Sequence, residues 1–264
     1  MTDTLNTIIL GIVEGVTEFL PVSSTGHLLV AEQWLGARTD LFNVAIQAGA
    51  ILAIVVIYWK RLLALLTRWD VPANRDYLFK FVACFVITGV LGFSAVELGF
   101  KLPEAVVPIA IAFLIGGIAI LLIERHIEGK PLSSEITWNV AIWVGLAQFA
   151  AGVLPGTSRS AATIFAAMLA GVTSRPAATE FAFLVGIPTM FAASGLLYWK
   201  ARHSAGQEDW QALALGFVVS GVVAFIVVKW LLSYVRSHRF TWFAWYRIAF
   251  GAALLALAYR GIVH

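Results

Sequence analysis

Charge is what this chain lacks. Of its 264 residues only 33 are charged, 18 basic and 15 acidic, where a soluble chain of that length carries roughly 66. Apolar residues make up 60% of the sequence before any of its 22 glycines is counted, and the mean hydropathy is +0.87. A globule of this size has too little interior to hide so much apolar surface, which excludes a soluble fold, and disorder or a fibrous architecture would need polar or repetitive composition. Cysteine is nearly absent as well. Cys84 stands alone inside an apolar run, so an intramolecular disulfide and a cysteine-rich metal site are excluded and the residue reads as a small core side chain. No dense basic run marks a nucleic-acid binder. The opening Met1-Thr2-Asp3-Thr4 lacks the basic stretch and cleavage site of a secretory signal, so the first apolar run is expected to stay in the mature protein. What remains is an all-α integral membrane protein: β-alternation is missing, and the spans are expected to be helices of about 20 residues.

Six segments are long enough to cross a bilayer, at roughly 44–59, 78–99, 105–123, 181–199, 211–232 and 243–261. Two further apolar segments, 5–35 and 138–172, are each broken in the middle, at Leu20-Pro21-Val22-Ser23-Ser24-Thr25-Gly26-His27 and at Leu154-Pro155-Gly156-Thr157-Ser158-Arg159-Ser160. Proline there interrupts a helix. A half-helix of about 13 residues rises roughly 20 Å, a little past the middle of a core about 30 Å thick, so each broken segment fits a re-entrant helical hairpin whose tip lies deep in the membrane. Irregular backbone survives at that depth only where protein or a watery cavity satisfies it. The two Leu-Pro pairs are 134 residues apart, and the same shift lays the first three spans over the last three. The expected plan is a single membrane domain of two repeats, about 5–123 and 138–261, each a hairpin followed by three spans. An odd number of spans inverts the second repeat and puts sites near the midplane at the repeat interface. Basic loop residues divide eleven against five between the two faces, which makes the richer face, that of residues 60–80 and 124–137, cytoplasmic. The hairpin tips then enter from opposite sides and can meet.

The chemistry collects at those tips. Glu14 and Glu18 lie one helical turn apart, just before Pro21. Each carboxylate would cost on the order of 2.5–3.5 kcal/mol at the bilayer centre, and three compensators suit them: a divalent cation, a nearby arginine, or protonation of one of the pair. Ser23, Ser24 and Thr25 offer capping hydroxyls for the returning half-helix, whose free N–H groups face the cavity. Thr157, Ser158 and Ser160 stand similarly around Arg159, the only arginine within either hairpin and a natural fork for phosphate. His27, three residues after Ser24, would share a helical face with it, the minimal arrangement of nucleophile and base, and it also suits general-acid work on a leaving phosphate. Gln47 and Glu180, at the starts of spans beside the hairpins, could line the same cavity or equally cap a helix end. Glu97, Glu104, Glu124 and Glu128 fall at span ends and read as solvated; Trp59, Tyr198, Trp199, Trp242 and Trp245 read as interface anchors.

Glu14-Gly15-Val16-Thr17-Glu18-Phe19-Leu20-Pro21-Val22-Ser23-Ser24-Thr25-Gly26-His27 and Pro155-Gly156-Thr157-Ser158-Arg159-Ser160-Ala161-Ala162-Thr163 closely resemble the two signatures of the undecaprenyl-diphosphate phosphatase family, the bacitracin-resistance proteins. The resemblance extends over nearly the whole chain. It implies removal of one phosphate from undecaprenyl diphosphate, which recycles the lipid carrier for cell-wall synthesis, in the bacterial inner membrane. It also implies a site open to the periplasm and a divalent cation such as magnesium or calcium. Matched position by position, Glu14 and Glu18 become the acidic pair and metal ligands, Ser24 and His27 the nucleophile and acid/base, and Arg159 the phosphate-binding arginine. Ser23, Thr25, Ser158, Ser160 and Thr163 match supporting substrate-binding positions. One departure is visible, Ala161 where the family usually has glycine.

The expected mechanism clamps the diphosphate between Arg159, the hairpin amides and the cation while the prenyl tail leaves sideways into lipid. Either Ser24 or a water attacks; the sequence leaves both open. The alternative class is a transporter or flippase of polyprenyl phosphate lipids, since inverted repeats with broken helices are a transporter plan. A pure carrier needs no Ser/His pair beside paired carboxylates, and a structural scaffold leaves the intramembrane charges unexplained. A homodimer stays open.

Overall fold

The computed structural model describes residues 2–99, 105–201 and 209–263; Glu104, read above as a span end, and Lys101 and Arg202, two of the five basic residues counted on the less basic face, lie outside the described residues. Within them the chain is helical throughout, without strands, and runs through eleven helices. The first broken segment becomes α1 (Thr2–Thr17) and α2 (Ser24–Leu35), the second α7 (Trp138–Val153) and α8 (Arg159–Leu169). The expected spans become α3 (Asp40–Ile57), α5 (Pro72–Glu97), α6 (Val106–Ile127), α9 (Arg175–Ala201), α10 (Trp210–Tyr234) and α11 (Thr241–Tyr259). These six are long and apolar enough to cross a bilayer, which makes the chain a multi-pass membrane protein.

Helix starts follow local chemistry. Thr39 caps α3 by accepting from Phe42 N, Thr137 caps α7 by accepting from Val140 N, and Asp209 accepts from Gln211 N and Ala212 N at the start of α10. Pro72 opens α5, where its missing N–H has no partner to lose. The capped α3 starts four residues earlier than its apolar run. One helix was unforeseen, α4 (Trp59–Thr67), whose Trp59, Leu63 and Leu66 are exposed beside Lys60 and Arg61.

The outward faces are apolar. Val218, Val222, Ile226 and Trp230 form an exposed stripe at four-residue spacing on α10, and Phe79, Val82, Val86, Val90 and Phe93 form another on α5, as lipid contact requires. The polar groups are turned inward. Trp59, Tyr198, Trp199, Trp242 and Trp245 are exposed, as interface anchors should be, and Cys84 is a buried free thiol. Glu97 is exposed. Glu124 is not the solvated group expected from its position: it is buried, held by the Arg175 guanidinium through Nε at 2.9 Å and by the Phe240 N–H at 2.9 Å. That carboxylate ties α6 to α9 and α11.

Helices approach closely where glycine removes the side chain. The principal pairings are α3 with α10, α6 with α11, α1 with α10, α5 with α7 and α3 with α9. A methyl group on Gly49 of α3 would stand 2.2 Å from the Phe217 carbonyl oxygen of α10, a contact the backbone cannot relieve by a rotamer change. Gly49→Ala is therefore expected to destabilise the bundle by about 1–3 kcal/mol, read as a lower Tm of the purified protein in detergent.

Candidate active site

Both helix breaks end in unusual backbone. Ser23 has φ +72°, the only positive φ of a non-glycine residue among those described, a conformation that costs on the order of 1–3 kcal/mol and collects at functional sites. In the second break Gly156 has φ +76°, and a Cβ there would lie 2.8 Å from Ile109 Cα, so both conformation and space demand glycine. Ser23→Gly is expected to keep turnover near that of the parent and to raise Tm slightly, because it removes strain while its carbonyl stays in place.

The two breaks touch. Ser160 Oγ donates to the Leu20 carbonyl at 2.9 Å, and Arg247 of α11 reaches the carbonyls of Pro21 and Gly156, each at 3.4 Å, and of Ala112 at 3.0 Å. Arg247 is 1% exposed and lies over the Phe113 ring at 4.9 Å. It is a single guanidinium holding both breaks against α6.

At this junction Glu18 is the hub. Its Oε2 accepts from Ser24 Oγ at 2.5 Å, and its Oε1 accepts from Arg159 Nη2 at 3.0 Å. Glu18 and Ser24 are buried, and Arg159 is nearly so. The Arg159 guanidinium is enclosed by the Phe19 ring at 5.9 Å and by Gly186 of α9, where an added Cβ would stand 2.0 Å from Nη1. Its Nη1 is buried and bonds nothing among the described residues, so one tooth of the fork is free to take an anion's oxygen. Glu14 lies within electrostatic reach of Glu18 and Arg159, and its Oε2 is buried without a partner.

His27 does not meet Ser24. Its Nδ1 donates to the Ser23 carbonyl at 2.7 Å and its Nε2 faces the Tyr246 hydroxyl at 2.6 Å; the ring stacks on Phe250 with centroids 4.5 Å apart. Both nitrogens are engaged, and the group hydrogen-bonded to the Ser24 hydroxyl is Glu18. The hydroxyl groups expected to cap α2 also behave differently. Ser23 makes no side-chain cap, Ser24 turns to Glu18, and Thr25 is exposed, which leaves the first N–H groups of α2 uncapped by any side chain. In the second break Ser158 caps α8 by accepting from Ala161 N at 3.2 Å, and Thr163 donates to the Arg159 carbonyl at 2.8 Å. With Ser160 on Leu20, these three hydroxyls build the loop's shape. Glu180 is paired with Arg61 of α4, Nε to Oε1 at 3.5 Å, and Gln47 is half-buried on α3.

A hard divalent cation suits the acidic pair. Glu14 and Glu18 supply oxygen donors, one of them orphaned and buried, while no cluster of three or more His, Cys, Asp or Glu occurs among the described residues. The protein would thus offer few ligands and leave the rest to phosphate oxygens and water, as magnesium sites do.

Two residues of this junction escaped the sequence analysis, Arg247 and Tyr246. The signal was present for the first: an arginine four residues inside an expected span is a functional flag by default.

Comparison with known proteins gives the family. The family model described as "Bacitracin resistance protein BacA" matches residues 7–253. A protein of Rhizobium etli (strain CIAT 652) named undecaprenyl-diphosphatase is 59% identical over 263 residues, covering 99% of each chain. One of the same name from Xanthomonas oryzae pv. oryzae (strain PXO99A) is 55% identical over 258 residues, covering 97% of each. The chain belongs to the BacA family of bacitracin resistance proteins.

Proposed function

We propose that this protein is an undecaprenyl-diphosphate phosphatase, which hydrolyses undecaprenyl diphosphate to undecaprenyl phosphate and so returns the lipid carrier to cell-wall synthesis and confers bacitracin resistance. The observation that carries the reading is the Ser24–Glu18–Arg159 chain of hydrogen bonds between the two breaks: a nucleophile, its base and a phosphate fork within one buried junction.

Ser24 Oγ attacks the terminal phosphorus as Glu18 takes its proton. The bond from that phosphorus to the bridging oxygen breaks, and undecaprenyl phosphate leaves with the proton returned by Glu18. Water then attacks the phosphoserine, giving its proton to Glu18, which passes it to Ser24 Oγ as inorganic phosphate departs. Arg159 Nη1 and the first amides of α2 bind the phosphate oxygens, preorganised where charge develops. Arg247 and His27 position the breaks. Magnesium or calcium held by Glu14 and Glu18 would supply added positive charge for the diphosphate. Ser23, Thr25, Ser158, Ser160 and Thr163 support the site as backbone and loop elements.

The membrane arrangement follows. The four helices of the broken segments are at most 16 residues, about 24 Å, too short for a core of about 30 Å, which supports two re-entrant hairpins. Packing supports an inverted repeat of 5–123 with 138–261. α1 packs on α10 while α7, its counterpart, packs on α5, the counterpart of α10, and α3 with α9 and α6 with α11 pair counterparts directly. The charge asymmetry supports an orientation with the face of residues 60–80 and 124–137 in the cytoplasm, and membership of the family supports a bacterial inner-membrane protein whose site opens to the periplasm. The same repeat is the feature that favours the second reading, a carrier of polyprenyl phosphate lipids.

Purified protein in detergent decides between them. Phosphate release from a short prenyl diphosphate, lost with chelator and restored by magnesium or calcium, is the expected result. No release under any condition would leave the carrier.

A further inference from the structure

A second cluster of charge lies at the other end of the bundle. Between the loop after α6 and the start of α9 is a cleft of about 190 Å³ lined by Glu128, Lys130, Leu132, Thr173, Arg175 and Arg239. Glu128 stands fifteen residues along α6 from Phe113 at the active site, about 22 Å at 1.5 Å per residue. None of its residues serves the phosphatase junction.

Three cationic side chains face this cleft against one carboxylate. Arg175 is fixed by the buried Glu124, and Arg239 bonds Glu128 at 2.7 Å, an exposed pair in which the guanidinium holds that carboxyl below its ordinary range. Lys130 Nζ has no acid partner among the described residues and bonds His126 Nε2 at 2.6 Å. Thr173 secures the wall of the cleft, accepting from Ser133 N and donating to the Pro131 carbonyl, each at 2.7 Å. The volume is ample for a phosphate group. The lining also has an apolar side: Leu132 is 82% exposed, and Trp242 in the first turn of α11, three residues along the chain from Arg239, is 75% exposed. Exposed tryptophans at a helix end mark the headgroup level of a bilayer.

A cationic cleft at headgroup level with an apolar shelf beside it matches a molecule carrying both a phosphate and acyl chains. We propose that this cleft binds the phosphate of an anionic membrane phospholipid, on the face where the positive loop charges gather. Its role is to anchor that end of α6, α9 and α11 in an acidic leaflet, apart from the hydrolysis.

The test is binding to the purified full-length protein in neutral detergent, followed by native mass spectrometry and by Tm. Phosphatidylglycerol is compared with phosphatidylcholine and with inorganic phosphate. Phosphatidylglycerol alone is expected to remain bound and raise Tm. Arg239→Gln and Lys130→Gln should each weaken it about fivefold, with phosphate release from a prenyl diphosphate unchanged. Glu128→Gln removes the one negative lining group and should tighten binding by a similar factor, a gain that misfolding cannot produce. Equal retention of phosphatidylcholine, an equal effect of inorganic phosphate alone, or unchanged phosphatidylglycerol affinity in all three variants would overturn the assignment.

Discussion

Ser24→Ala and Glu18→Gln are each expected to lower kcat for phosphate release from a prenyl diphosphate by about 10³- to 10⁴-fold, with the double variant scarcely slower than either single one. The reason is that the two act as one device. Glu18 Oε2 accepts the Ser24 proton at 2.5 Å, so a serine without its carboxylate is a weak nucleophile, and a carboxylate without its serine has nothing to activate. Glutamine at position 18 keeps the size and a hydrogen bond to Arg159 but cannot take a proton. In Ser24→Ala KM should change far less, because Arg159, the acidic pair and the α2 amides remain. Trapping a phosphoserine at position 24 in acid-quenched reactions separates the serine path from direct attack by water. Multiplicative losses in the double variant would show two independent roles, and near-parent turnover in Ser24→Ala would remove the serine from the chemistry.

Much of this was legible because the informative residues contradict their surroundings. Pro21 and Pro155 stop apolar helices in mid-run, and Glu14, Glu18 and Arg159 are charges where charge is expensive. The 134-residue shift and the loop charges led to the expectation that the two breaks meet, and the Ser160 bond to Leu20 and the Arg159 bond to Glu18 do join them. The same shift sets Ser24 opposite Ser158 but Glu18 opposite Gly152 and His27 opposite Ala161. Only the first break carries a base, and the second contributes the cation.

What stayed hidden was which of several feasible partners each polar group takes. A serine near a phosphate site can serve the ligand or the backbone; Ser158, Ser160 and Thr163 serve the backbone, and spacing alone does not distinguish the two. Three-residue spacing put His27 on the face of α2 that carries Ser24, yet the serine turns to Glu18 while the imidazole meets Tyr246, 219 residues away. Arg247 reads as one more span residue until α6 and α11 pack and bring it over both breaks. α4 was invisible because a nine-residue helix between two spans carries the basic residues of an ordinary loop.

The arginine offers the sharpest separation of geometry from charge. Arg159→Lys keeps the positive charge and loses the planar fork: one ammonium cannot bond Glu18 and a phosphate oxygen along the two directions that Nη2 and Nη1 now supply. A loss of about 10²- to 10³-fold in kcat/KM is expected. The companion variant leaves the arginine in place. In Gly186→Ala the new methyl group would fall 2.0 Å from Arg159 Nη1, and the atom that yields is the end of a flexible side chain, so the helices need not move. Stability should be nearly unchanged while the guanidinium swings out of register with Glu18, and a displacement of about 1 Å at a reacting site is worth roughly 10²-fold in rate. A Tm close to that of the parent together with a large fall in kcat/KM is therefore the expected signature. Normal turnover in Gly186→Ala, with the protein intact, would mean that the position of this guanidinium does not govern phosphate transfer.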